Sequence, residues 1–491
     1  MNTKTTYDNE AATTTGAGGP VTRMSLDADT SHPICDSLTR FLAGIYGVQQ
    51  SFTVLMPHIG TWVSDESKNL REKYKEYMKE GEQNNYVFDS SSARAIADMM
   101  AFRRSVEVLG AVKYADVIAQ SLFTQVFCEF DAYMGAMLKA LYSSKPELFS
   151  TLDRKLSISE LKAYGSLEAA TDAMLEAEID AFRRSSYVEQ FTSLETRFDL
   201  PLKKFPEWGE FVELGQRRNL LIHNGGVVNE QYRLMCGNQG HEEGKATSVG
   251  IRLSINTEYL GRALLIMRKV AFMLAHTLWR KVLPAQTDQA HVSCDKIIYD
   301  LLQKKLWLTA AEFGEFALQP IMCRNLTEQY RKMRVINTAI GYRFSNQQPK
   351  CDKVINSEDW SSTVRDFRLA VALMKGDLPS VWTMMRQIGE RGELVNEVAY
   401  RDWPLFHEIR LTPDFHVVFE EIYGEPFSAQ LTTASPTDAE AANPRLVLES
   451  KLATTVRRAK KVTKRNSNMN PASIPGTPTV ALKKTIKPKA K

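Results

Sequence analysis

Between Leu122 and Leu141 the apolar residues Leu122, Val126, Phe130, Tyr133, Met137 and Leu141 advance by steps of four and three. An α-helix turns about 100° per residue, so these steps gather all six side chains on one stripe, whereas a strand would scatter them over both faces. A stripe of this length predicts the central helix of a bundle. It commits the chain to packing helix against helix.

Other segments keep the same period. Leu70, Tyr74, Tyr77 and Met78 mark a charged amphipathic helix with Ser64 and Asp65 as capping candidates, and Ser90 to Ser92 open the next one. Asn256 or Thr257 caps a helix carrying Leu260, Leu264, Met267, Ala271, Leu274 and Leu278 on one face, with Pro284 after its end. Residues 227–255 mix Gly, Asn and Glu with apolar alternation at Val249, Ile251, Leu253 and Ile255, which predicts a loop with a short extended piece.

Residues 290–425 read as a second helical unit, with amphipathic segments at 297–308, 310–318, 366–375, 380–388 and 414–423. The run Ala370, Leu373, Gly376, Asp377, then Val381, Met385, Ile388, Gly389 resembles an antiparallel helix pair of the tetratricopeptide sort. Stacked helix pairs offer a concave surface, so this unit is expected to bind a protein partner or to regulate. His407, Arg410 and His416 read as packing or surface residues. The fold class predicted is all-α: a disordered N-terminus over 1–34, a helical bundle over 35–283, the helical-repeat-like unit over 290–425 and a disordered basic tail over 429–491.

Charge separates the tail from the rest. Of 62 Lys and Arg residues, twelve fall between Lys451 and Lys491 with no acid among them; the preceding 450 residues carry the other 50 against 58 acids, a net −8. The tail's densest block holds Arg457, Arg458, Lys460, Lys461, Lys464 and Arg465. Such a block stays unfolded and attracts polyanions in a salt-dependent way, but without interleaved aromatics it has nothing to stack on bases. A solvated tail without a partner and a nuclear import signal are the other readings. The six cysteines are scattered without a C-x-x-C pair, which points away from structural zinc or a disulfide framework and toward a reducing cytosol. Cys236 and His241 alone make a poor metal site. No apolar leader opens the chain, and its greasiest helix, around 263–279, is interrupted by Arg268 and Lys269, so no membrane span is expected.

The chemistry concentrates in Arg217-Arg218-Asn219-Leu220-Leu221-Ile222-His223-Asn224-Gly225-Gly226. Pro206 suits a first turn, Phe211, Leu214, Leu221 and Ile222 give an apolar stripe, and Gly225 suits the left-handed position beyond a helix end. His223 then lies in the last turn, where the carbonyl end of the helix favours a protonated imidazole. Asn219 and His223 share a face. Arg218 stands five residues before His223 and roughly 140° around the helix from it, so a two-fold dimer is the simplest way to supply both groups to one cleft. Asp131, on the long stripe helix, is either a rim carboxylate in a charged pair or a partner that orients Arg218 or His223. Arg217 sits one turn on from Glu213 as a helix-surface ion-pair residue and could replace Arg218.

Arginine, a polar residue, a short apolar spacer and histidine resemble the R-x4–6-H signature of HEPN domains, which Arg218-Asn219-x3-His223 matches at its shortest spacing. The stretch Phe130-Asp131-Ala132-Tyr133-Met134-Gly135-Ala136-Met137-Leu138 looks like the other core helix of bacterial members, and Asn224-Gly225-Gly226 continues the family's helix ending. The resemblance implies a dimeric helical bundle over about 35–283 that cleaves RNA without metal or other cofactor, often as a toxin or antiviral effector. Arg218, Asn219 and His223 would be its catalytic residues. Inactive members keep the bundle as a scaffold that binds nucleic acid or protein, and that alternative stays open.

Overall fold

The computed structural model describes residues 32–75, 78–80, 86–88, 92–111, 113–151 and 157–427. The expected disordered terminus, up to residue 31, and the basic tail with Arg457, Arg458, Lys460, Lys461, Lys464 and Arg465 lie outside the described residues. The chain is all-α. Its helices are α1 (Pro33–Lys73), α2 (Ala93–Ala111), α3 (Tyr114–Ser144), α4 (Ile158–Tyr164), α5 (Leu167–Arg184), α6 (Tyr187–Phe198), α7 (Trp208–His223), α8 (Glu230–Asn238) and α9 (Glu242–Ala246). They continue with α10 (Thr257–Val282), α11 (Thr287–Gln303), α12 (Trp307–Ala317), α13 (Glu328–Phe344), α14 (Gln348–Ile355), α15 (Arg365–Lys375), α16 (Leu378–Ile388), α17 (Glu397–Asp402) and α18 (Pro413–Tyr423). One short antiparallel ladder, β1 (Met78–Glu80) with β2 (Tyr86–Phe88), interrupts them.

The stripe helix is the centre. Val126, Phe130, Tyr133, Met137 and Leu141 of α3 are all buried, and α1 and α10 pack along it. Phe130 meets the rings of Phe41, Tyr133, Tyr187 and Phe211, so four helices converge on one side chain whose burial contributes about 1.5–3 kcal/mol. The Tyr133 hydroxyl donates to the Ala271 carbonyl at 2.8 Å and ties α3 to α10. Asn256 caps α10 by accepting from the Tyr259 amide at 2.7 Å, as its position in the sequence predicts. Arg268 and Lys269, read as interruptions, are interhelical ties: buried Arg268 donates to Gln49 of α1, and Lys269 bridges Glu207 and Glu312 at 2.9 and 2.6 Å.

Three expectations are corrected. Ser64 and Asp65 do not open a helix, because α1 passes through them and has no free amides there to cap; it ends at Lys73, and Met78 belongs to β1. Residues 227–255 are not mainly a loop but hold α8 and α9, short polar helices whose few apolar residues, Tyr232 and Cys236, close a small core with Leu220 and Val228. The alternating stretch that follows does lie against the end of α7: Val227 bridges Arg252, and Leu253 donates to the Gly226 carbonyl. Ser92, in contrast, caps α2 as expected, accepting from the Ala95 amide at 3.1 Å.

Helices α11 to α16 and α18 continue without a break in the core, which runs as one buried cluster from Ile34 to Phe419. Helix α13 lies at the middle of this part with Arg334, Asn337 and Thr338 buried, and α15 and α16 pack against each other, with Gly376 in the left-handed conformation at the end of α15.

Candidate functional site

Helix α7 begins at Trp208, two residues after Pro206, which lies in the preceding turn. Its first half is largely buried through Trp208, Phe211, Val212, Glu213, Leu214 and Gly215. In the second half, α8 covers the Leu220 side, so Ile222 is not part of the buried stripe and is 49% exposed. Gly225 and Gly226, with φ of 56° and 78°, turn the chain out of the helix. Gly226 also allows close approach: a β-carbon there would lie 3.1 Å from the Leu253 carbonyl oxygen.

Arg218, Asn219 and His223 occupy three different settings on this helix. The Arg218 guanidinium lies over Phe127 and Tyr187, 5.3 and 5.9 Å from their ring centres, and one of its terminal nitrogens reaches the Tyr187 hydroxyl at 3.4 Å. No carboxylate pairs with it among the described residues, and its buried Nε has no hydrogen-bond partner. Tyr187 is the first residue of α6, held there by the Ser186 capping box, and it fits because Gly215 has no side chain; a β-carbon would meet the ring at 3.0 Å. Tyr187 in turn donates to Asp131 Oδ1 at 2.8 Å. Asp131 is therefore neither a rim ion pair nor in direct contact with Arg218; Tyr187 stands between them. Burial holds the Asp131 carboxyl above its usual range, opposed by this hydrogen bond and by the charges of Arg218 and Arg183.

His223 and Asn219 are exposed, and neither side chain makes a hydrogen bond among the described residues. His223 lines a cleft of about 240 Å³ with Gln216, Asn219, Asn224, Gln231 and Tyr232, whereas Arg218 lines a smaller recess with Arg183, Ser186, Tyr187 and Gln190. Gln216 and Asn219 line both. The sequence places Arg218 and His223 on divergent faces, and the structure sets them on either side of this Gln216–Asn219 ridge.

Arg217 has a separate role. Its Nε donates to Glu213 at 2.8 Å and its guanidinium stacks 3.8 Å from the centre of the Tyr259 ring, so the expected ion pair forms inside the protein rather than on its surface. Glu213 is buried and also accepts from Tyr232 at 2.7 Å and Tyr259 at 2.6 Å. Burial and the Glu213 charge push both phenols above their ordinary value, which keeps them protonated donors. This knot fixes α7 to α8 and α10 one turn before Arg218. Nearby, Cys236 is buried and His241 accepts from the Gly244 amide at 2.9 Å as a helix cap.

Sequence reasoning missed Tyr187, Gln216 and Gln231. Tyr187 was findable, since Ser186-x-x-Glu189 is a readable capping box that puts it in a first turn. Gln216 and Gln231 carry no such signal. No helix among the described residues is long and apolar enough to cross a membrane. Compared with known proteins, the chain matches no family model, no curated protein and no solved structure.

Proposed function

We propose that α7 carries the site of a metal-independent endoribonuclease that cleaves RNA by transesterification. The ribose 2′-oxygen attacks the adjacent phosphorus, the bond to the 5′-oxygen breaks, and the products are a 2′,3′-cyclic phosphate and a 5′-hydroxyl. His223 exchanges the proton of the attacking or leaving oxygen, Arg218 stabilises charge building on the phosphoryl oxygens, and Asn219 orients the phosphate or the imidazole by hydrogen bonding. The observation that carries this reading is the ridge at Asn219, with an exposed imidazole on one side and, among the described residues, a guanidinium without a carboxylate on the other. The resemblance of Arg218-Asn219-x3-His223 to the HEPN signature supports it. The divergence of the two groups favours a homodimer in which a second copy completes each cleft. The basic tail would add salt-dependent attraction for RNA.

A second reading, a silent scaffold that binds nucleic acid or a protein, is favoured by one observation: the Arg218 guanidinium is packed over two aromatic rings and tied to a hydroxyl. Incubation with structured RNA in EDTA separates the two. Cleavage leaving cyclic-phosphate ends, abolished by His223→Ala at an unchanged melting temperature, supports the enzyme. Intact RNA at high protein concentration overturns it, and a strict monomer by scattering removes the shared cleft.

A further inference from the structure

The cleft beside His223 has a lining of unusual uniformity. Gln216, Asn219, Asn224, Asn229 and Gln231 give it five carboxamides, and among the described residues no Asp, Glu, Lys or Arg lines it. Two of these amides are committed: Asn229 accepts from the Tyr232 amide as the cap of α8, and Asn224 donates to the Val227 carbonyl. The hydroxyl of Tyr232 is likewise committed, to Glu213. Gln216, Asn219 and Gln231 make no side-chain hydrogen bond among the described residues, so each offers both a donor and an acceptor to whatever enters.

Apart from His223 itself the wall is uncharged, and its several paired donors and acceptors suit a flat, neutral ligand that carries both along its edges. A nucleobase is such a ligand, and carboxamide side chains read base edges through paired hydrogen bonds. A phosphate is not, because it needs donors and positive charge. The charged groups lie across the ridge, where Arg218 and Arg183 line the smaller recess. A single strand with splayed bases would set one base in this cleft with its ribose beside His223, and leave its phosphate to the positive charge of an Arg218 at the ridge or from a second copy.

We propose that the cleft lined by Gln216, Asn219 and Gln231 is a nucleobase subsite for single-stranded RNA, which selects the nucleotide presented to His223. This rests on reading α7 as an RNA site, but base selection and cleavage are separately measurable.

The test is binding of short, uncleavable 2′-O-methyl homopolymers of A, C, G and U to the full chain. Wild type should separate the best from the worst homopolymer by about tenfold or more, the discrimination expected of carboxamide–base pairs. Gln216→Leu with Gln231→Leu should reduce that ratio to about twofold and leave the salt dependence unchanged, because neither residue carries the phosphate term. Asn238→Ala, an exposed amide on α8 outside the cleft, should keep the wild-type ratio. Thermal melting checks that the double variant is folded; if it is not, each single variant is measured, and each should lower the ratio. Equal wild-type affinity for all four homopolymers, no binding of any, or discrimination that survives in the variants overturns the subsite. Selective binding without cleavage of natural RNA would sink the ribonuclease reading and leave the subsite standing, while cleavage with no base preference would do the reverse.

Discussion

Tyr187 donates its hydroxyl hydrogen to Asp131 at 2.8 Å while the same oxygen faces the Arg218 guanidinium at 3.4 Å, so two residues from α3 and α6 set the position of an arginine on α7. The phenol is held well above its ordinary pKa by burial and by the Asp131 charge, and it remains a donor at any physiological pH.

Tyr187→Phe keeps the ring that packs on Phe127 and Phe211 and removes only this link. It leaves a half-buried carboxylate without its donor, at a cost of about 1–2 kcal/mol in urea unfolding. The sign with pH follows from Asp131, whose pKa is raised in the folded protein, so that the folded state binds the extra proton and gains stability as pH falls through that value. Losing the donor makes the ionised form costlier still. The deficit of the variant should therefore be largest at neutral pH and shrink in mild acid; a deficit independent of pH would disconnect Tyr187 from Asp131.

Arg217 and Arg218 are adjacent in sequence and should behave in opposite ways. Arg217→Ala leaves Glu213 buried with only Tyr232 and Tyr259 as partners, and breaking such an inward pair costs about 3 kcal/mol. Arg218→Ala removes one long hydrogen bond and two loose ring contacts, about 1 kcal/mol, but it should abolish RNA cleavage. Denaturation curves and a cleavage assay on the two variants check this. Loss of cleavage in a folded Arg217 variant, with Arg218→Ala still active, would move the chemistry to Arg217.

What was legible in the sequence was whatever obeyed one period and one cap. The α3 stripe, the Asn256 cap and the Gly225 stop are local signals, and each appears in place. Helix α13 was not legible, because its buried side carries the polar residues Lys332, Arg334, Asn337 and Thr338, which blur any apolar stripe. Their partners lie on other elements: Asp295 and the Ala317 carbonyl for Arg334, and the Trp403 indole for Asn337. The site divides in the same way. Arg218, Asn219 and His223 could be named from a motif, whereas the role of Tyr187 depends on a contact between segments far apart in the chain, and the amide-lined cleft depends on α8, whose short polar sequence resembles a loop.

His276 and His291 make stability depend on pH. His276 is fully buried, and burial, followed by the charges of Arg280 and Arg334, holds its pKa well below 6.5; His291 is lowered in the same sense. The Nδ1 of each accepts from Arg280 at 3.2 Å, which requires a neutral ring. The unfolded chain takes up these protons below about pH 6.5 and the folded chain does not, so stability falls as pH falls, by up to about 1.4 kcal/mol per pH unit for each imidazole. Urea midpoints should drop steadily from pH 7 to pH 5, and His276→Gln should flatten that slope. An unchanged slope in the variant would remove His276 as a source.

Gly226→Ala tests how the end of α7 is held. The residue has φ of 78°, and an added β-carbon would stand 3.1 Å from the Leu253 carbonyl oxygen and 3.3 Å from Leu221 Cδ2. Its own carbonyl accepts from Leu253 and its amide donates to the Leu220 carbonyl, so it cannot relax without breaking the contact between α7 and the 251–253 stretch. The strain and crowding together should cost about 1–3 kcal/mol. Gly225→Ala has the same sign of φ but open space around it, and it should cost about 1 kcal/mol, the backbone term alone. The difference between the two in thermal or urea unfolding measures the close approach. If both variants lose the same amount, the helix end is fixed by backbone conformation, and the contact at Leu253 contributes nothing to holding His223 at the cleft.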